Sequence, residues 1–209
     1  MFRKALLTAA AAFVMLTLSS VARADTVTLT GINGTGVTAT VTNFSLVGNQ
    51  FTFTINNTSL APGSTGTITN IGFALPGNRP NTFQLISSSN SNYALVHDLN
   101  ATSGAQNLVS SFDLVLVNKT NGNPTFGGGK VADGIAGGTS VTFVIQGDFT
   151  GLSAQQVAQA IFARFQAVNG DGSDVAGAPG EVPEPMTMIL LGTGLAGVAA
   201  RARRRKQKD

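Results

Sequence analysis

The sequence predicts an all-β fold, an antiparallel β-sandwich of jelly-roll type, with an N-terminal signal peptide before it and a short C-terminal transmembrane helix after it. Three observations predict this. Short runs of β-branched and aromatic residues alternate at period two with Thr, Ser and Asn, the pattern of half-buried strands. Gly, Asn and Pro punctuate those runs, with 25 glycines and 7 prolines in 209 residues. Charged residues make up 11% of the chain, well below the roughly 25% of ordinary soluble domains, which argues against a coiled coil or a charge-rich disordered tail. With no cysteine there is no disulfide framework and no thiolate chemistry, so stability has to come from a packed core.

The strands follow in order. Thr26–Thr30 is the first, and Val37, Ala39 and Val41 share a face until the alternation changes register at Asn43-Phe44. In Gln50–Asn57, Phe51, Phe53 and Ile55 face one way and Thr52 and Thr54 the other. Ile68–Phe73, Thr82–Ile86, Tyr93–Val96, Phe112–Val117 and Val141–Phe149 continue the series, for eight or nine strands. Asn33-Gly34 and Asn121-Gly122 read as turns because both residue types tolerate positive φ. Ser153 with Gln156 three residues on is a capping box, and Leu152 and Val157 are placed to staple the helix start. Ala160–Val168 fits either a continued helix or a final strand; the reading taken is a helix over 154–159 and a strand over 160–168.

Charge is concentrated at the ends. Residues 1–24 hold Arg3, Lys4 and Arg23 with no acid, and residues 186–209 hold six bases against Asp209. The body, 25–185, has four bases against nine acids, a mildly acidic balance that phosphate backbones repel, so nucleic acid is not an expected partner. The N-terminus has a basic start, an apolar run from Ala5 to Leu18 and the small-x-small pattern Ala22-Arg23-Ala24, which signal peptidase accepts. Cleavage after Ala24 leaves Asp25 first. The predicted organisation is a signal peptide over 1–24, a β-sandwich over 25–174, a Gly/Ala/Pro linker over 175–182 and a tail over 183–209.

That tail has three parts: Pro183-Glu184-Pro185, an apolar stretch over 186–200, and a basic cluster over 201–208 with Arg201, Arg203, Arg204, Arg205 and Lys206 as stop-transfer residues. The prolines keep the helix from growing backwards. Fifteen apolar residues at about 1.5 Å each span roughly 22 Å, short of the roughly 30 Å hydrocarbon core, which makes a marginal permanent anchor at the inner membrane. These three parts in order resemble the PEP-CTERM sorting signal of Gram-negative bacteria. The resemblance covers about 182–206. It implies recognition by an exosortase, a membrane transpeptidase, in bacteria that make exopolysaccharide and biofilm matrix, with cleavage at or near Pro183-Glu184-Pro185.

Chemistry candidates are few. His97 is the chain's one histidine, placed at a strand end beside Asp98, and no Gly-x-Ser-x-Gly elbow accompanies it. Asp98, Asp113, Asp133 and Asp148 could supply the carboxylate pair of a glycosidase, yet most of them stand where a turn or strand end expects Asp. Asn169, Asp171, Ser173 and Asp174 offer alternating oxygens like the opening of a calcium loop, but position twelve is Gly180, so a solvated turn is the preferred reading. Gly127-Gly128-Gly129-Lys130 lacks phosphate-loop spacing and reads as a mobile loop. Tyr93 and Phe126 are the aromatic candidates for a sugar platform. The functional expectation is a non-enzymatic surface or matrix protein without cofactor, associated with exopolysaccharide. The alternatives are a protein–protein module, calcium-dependent through Asn169–Asp174, and an exported hydrolase.

Overall fold

The computed structural model describes residues 26–77, 79, 82–101, 105–118 and 124–178. The signal peptide, the Asn121-Gly122 turn, the end of the linker and the whole tail with its 186–200 helix lie outside the described residues. Among the described residues there are ten strands: β1 (Thr26–Gly31), β2 (Thr38–Val47), β3 (Gln50–Asn57), β4 (Thr67–Phe73), β5 (Gln84–Ser88), β6 (Tyr93–Asn100), β7 (Ser111–Asn118), β8 (Ser140–Gln146), β9 (Ile161–Val168) and β10 (Gly172–Gly177). One short helix, α1 (Ala154–Gln159), precedes β9. The expected capping box is present: Ser153 Oγ accepts from the Gln156 N–H at 3.2 Å, and the Gln156 side chain accepts from the Ser153 N–H at 2.9 Å.

All strand pairs are antiparallel, as expected, but the two separate layers of a sandwich are not what forms. The hydrogen bonding runs through one nearly closed ten-stranded sheet in the order β5-β8-β3-β2-β1-β10-β9-β4-β7-β6. Two five-stranded halves face each other, β5-β8-β3-β2-β1 in front and β10-β9-β4-β7-β6 behind. They join at a seam where β1 and β10 register at only two positions, Thr30 with Gly177 and Gly31 with Ala176. At the other margin β5 and β6 lie against one another without pairing.

The halves differ in burial. β1, β2, β3 and β8 alternate strictly over their paired lengths, apolar side chains inward. β4 and β9 are buried almost continuously, because loops cover the outer face of the rear half. A second cluster forms there around Phe112, Phe126, Phe162 and Val175. The main core lies between the halves, and its aromatic contacts bridge them: Phe53 on β3 meets Phe73 on β4 edge-on at 5.6 Å, and Tyr93 on β6 meets Phe143 on β8 at 5.3 Å.

Strand positions follow the sequence pattern, with four departures. The register shift expected at Asn43-Phe44 is present as a bulge with Asn43 at φ 51°. β5 starts two residues later than read, β6 runs four residues further to Asn100, and β8 ends at Gln146 because Asp148 begins a turn. The fourth departure is β10. The segment expected to be a solvated turn running into a linker at 175 is strand through Gly177, with Asp174, Val175 and Ala176 fully buried. Its small residues are a packing requirement: a Cβ on Gly177 would lie 2.9 Å from the Phe162 ring.

Tyr93 is the chain's one tyrosine, and the chain has no tryptophan. Its hydroxyl donates to the Ile68 carbonyl at 2.8 Å, and burial pushes its pKa far above the ordinary 10.0. The unfolded chain loses this proton near pH 10 while the folded chain keeps it, so stability is full below that pH and falls as pH rises above it. Absorbance titration should show no tyrosinate in the folded protein at about pH 11 and normal ionisation in denaturant. Tyr93→Phe should remove the alkaline drop in melting temperature. It should cost only about 1 kcal/mol at neutral pH, because the Ile68 carbonyl still accepts from the Ile135 N–H at 2.9 Å.

Candidate functional site

Where β2 turns into β3 and β8 runs out, the loops enclose an open cleft of about 730 Å³, within the roughly 300–1,000 Å³ of small-molecule sites. Its walls carry Asn49, Thr82, Gln84, Gln146, Asp148 and Thr150, over a base that includes the buried Phe149. Gly147 is required here, since a Cβ would stand 2.0 Å from the Phe83 ring. The Thr150 N–H donates to Asp148 Oδ1 at 2.9 Å, and Arg79 Nη1 donates to the Thr150 carbonyl at 2.8 Å. Hydrogen bonds from the Thr150 hydroxyl and amide, with a smaller contribution from the Arg79 charge, hold the Asp148 carboxyl below the usual carboxylate range. The arrangement can hydrogen-bond an uncharged polar ligand. Asp148 is the one carboxylate among the described residues lining the cleft, whereas glycoside hydrolysis uses two.

The other candidates are placed elsewhere. His97 is half-buried within β6 rather than exposed at a strand end, and its Nδ1 has no hydrogen-bond partner. Asp98 follows at φ 51°, between the β6–β7 pairs His97–Leu114 and Leu99–Phe112 and so opposite Asp113, whose Oδ2 accepts from the Leu75 N–H at 2.7 Å. Asp133 pairs with Lys130 at 3.1 Å. Among the described residues no three His, Asp or Glu side chains are grouped to hold a metal ion.

The four oxygen-bearing residues at the β9–β10 turn diverge. Asn169 Oδ1 accepts from the Thr65 N–H at 3.0 Å, while Asp171 and Ser173 are exposed. Asp174 points into the β1–β2 loop. Its Oδ1 accepts from the Asn33 N–H at 3.1 Å, from Asn33 Nδ2 at 2.7 Å and from the Val175 N–H at 2.6 Å, and its Oδ2 from Thr35 Oγ1 at 2.5 Å. The glycine loop, read as mobile, is held down: Gln166 donates to the Gly127 carbonyl at 2.9 Å and Asn70 to the Gly128 carbonyl at 2.8 Å. Tyr93 and Phe126 are both buried, so neither offers a platform to a sugar. Sequence reasoning missed Arg79 as a partner of the Asp148–Thr150 turn. It also missed the structural role of Asp174, for which nothing local to Asp174 gives a signal.

The sorting signal lies outside the described residues. Residues 181–205 match the family model of the PEP-CTERM protein-sorting motif, a span that includes Pro183, Glu184, Pro185 and the arginines at 201 and 203–205. The chain is therefore an exosortase-sorted extracellular protein, exported and processed toward the cell surface. Neither the curated proteins nor the solved structures contain a match to it.

Removing the Asp174 carboxylate strands the Asn33 amide and the Thr35 hydroxyl at the seam. Asp174→Ala should cost about 3 kcal/mol, seen as a fall in melting temperature of about 6–12 °C. Asp171→Ala, on the exposed turn, should change it by less than about 2 °C.

Proposed function

We propose that this chain is a non-enzymatic protein of the cell surface or extracellular matrix, delivered by an exosortase and associated with the exopolysaccharide of a biofilm. Signal peptidase removes residues 1–24. The apolar 186–200 segment then holds the C-terminus at the inner membrane until the exosortase processes the Pro183-Glu184-Pro185 element. The match at 181–205 carries this reading. Two features of the fold support it. β10 runs antiparallel to β1 with Thr30 opposite Gly177, so the chain leaves the sheet toward the end that carries the cleft and the start of β1. The cleft itself is lined mainly by amides and hydroxyls, with Asp148 its one carboxylate among the described residues.

Intact mass of the protein from cell envelope and from medium tests the proposal. The expected species begins at Asp25 and has lost the residues C-terminal to the Pro183-Glu184-Pro185 element. Replacing Pro183, Glu184 and Pro185 together by Ala should leave the C-terminus intact and the protein at the inner membrane. A chain still starting at Met1 and dissolved in cytosol would overturn the proposal.

A further inference from the structure

The outward face of the front half is a regular array of short polar side chains. Register puts Thr26, Thr42, Thr54 and Thr142 in one line across β1, β2, β3 and β8. Thr28, Thr40, Asn56 and Ser140 form the next line, and Thr30 opposite Thr38 begins a third. The lines repeat at the strand separation of about 4.8 Å across the sheet and about 6.7 Å along it, two residues apart. Every one of these side chains is exposed or half-buried, while Val27, Leu29, Val41, Phe53 and Ile55 between them point into the core.

The array is ordered before anything binds. The Thr54 and Thr142 hydroxyls bond to each other at 2.8 Å, and Asn56 Nδ2 donates to Thr42 Oγ1 at 3.0 Å and Thr40 Oγ1 at 3.3 Å. A hydroxyl has one donor and two acceptor sites, so each keeps capacity for an outside partner. Side chains already held in place lose little further freedom on binding. No charged residue occurs in β1, β2, β3, β5 or β8, although solvent-facing surfaces ordinarily carry them at roughly a quarter of positions or more.

We propose that this threonine face is the docking surface for a neutral polysaccharide chain, an inference that rests on surface delivery of the protein. An ionic polymer would shed hydration here without meeting a counter-charge. A sugar chain alternates hydroxyls with C–H surface, and threonine presents both a hydroxyl and a methyl. With Tyr93 and Phe126 buried, recognition falls to these groups. The twist natural to a sheet suits a chain better than a flat crystal face such as ice.

The test is co-sedimentation of the purified full chain with cellulose, starch granules and cross-linked dextran, with alginate gel as the charged control. Retention on at least one neutral polymer, and not on alginate, is expected. A Thr40→Lys/Thr54→Lys variant should lose retention at least tenfold, and Thr40→Ser/Thr54→Ser should keep most of it. If the double lysine variant fails to fold, Thr28→Lys on β1 should lose retention at least threefold at an unchanged melting temperature. Failure on all three neutral polymers overturns the inference, as does retention on alginate alone or full retention by the lysine variants. Wild-type protein that shapes ice crystals but holds no polysaccharide, or a dimer abolished by the same lysines, reassigns the face and also overturns it. Correct processing by mass, alongside absent polymer binding, would sink the docking face and leave the sorting proposal standing.

Discussion

Asp174 holds the first strand to the last. β1 and β10 share two registered positions, too few to keep two five-stranded halves together by backbone pairing alone. The Asp174 carboxylate supplements them by accepting from Asn33, Thr35 and Val175, partners that lie as far as 141 residues away in sequence. Its backbone carbonyl accepts from Arg164 Nη1 at 3.2 Å. Burial draws the Arg164 pKa down, and the nearby Asp174 charge opposes that. Gly31 leaves the room this needs, since a Cβ there would lie 2.5 Å from Asp174 Oδ2. In a chain with no disulfide, this polar closure does part of what a covalent link does elsewhere.

Once the seam is closed, the two halves bury their surfaces differently. The front half buries one face and leaves the other to solvent, which is why β1, β2, β3 and β8 alternate cleanly. The rear half is covered on both faces, and buried polar side chains tie the covering loops to it. Asn70 reaches the carbonyls of Thr125, Phe126 and Gly128 while its own oxygen takes the Asn118 N–H, so a buried amide replaces the water these groups would otherwise need. Gly72 allows Phe112 to lie against β4, where a Cβ would come within 2.7 Å of the ring.

The same asymmetry organises function. Loops and buried polar groups occupy the rear half, leaving the outward face of the front-half strands uncharged and accessible. The cleft opens at the end toward which β10 runs.

Much of this was legible in the sequence. The period-two runs located eight strands, the disturbance at Asn43-Phe44 marked the bulge, and Ser153-x-x-Gln156 marked the start of α1, because each of these is decided by neighbours a few residues apart. The sorting tail was legible for the same reason, since the machinery that reads it reads linear order. The tertiary structure alone decided that the strands make one nearly closed sheet, that Gly172–Gly177 is a strand, and that Asp174 belongs to a seam rather than to a calcium loop. It alone placed Arg79 beside the Asp148–Thr150 turn and aligned threonines from four strands into rows. Those outcomes depend on which distant segments meet, and a Gly/Ala-rich stretch looks like linker until the ring of Phe162 closes over it.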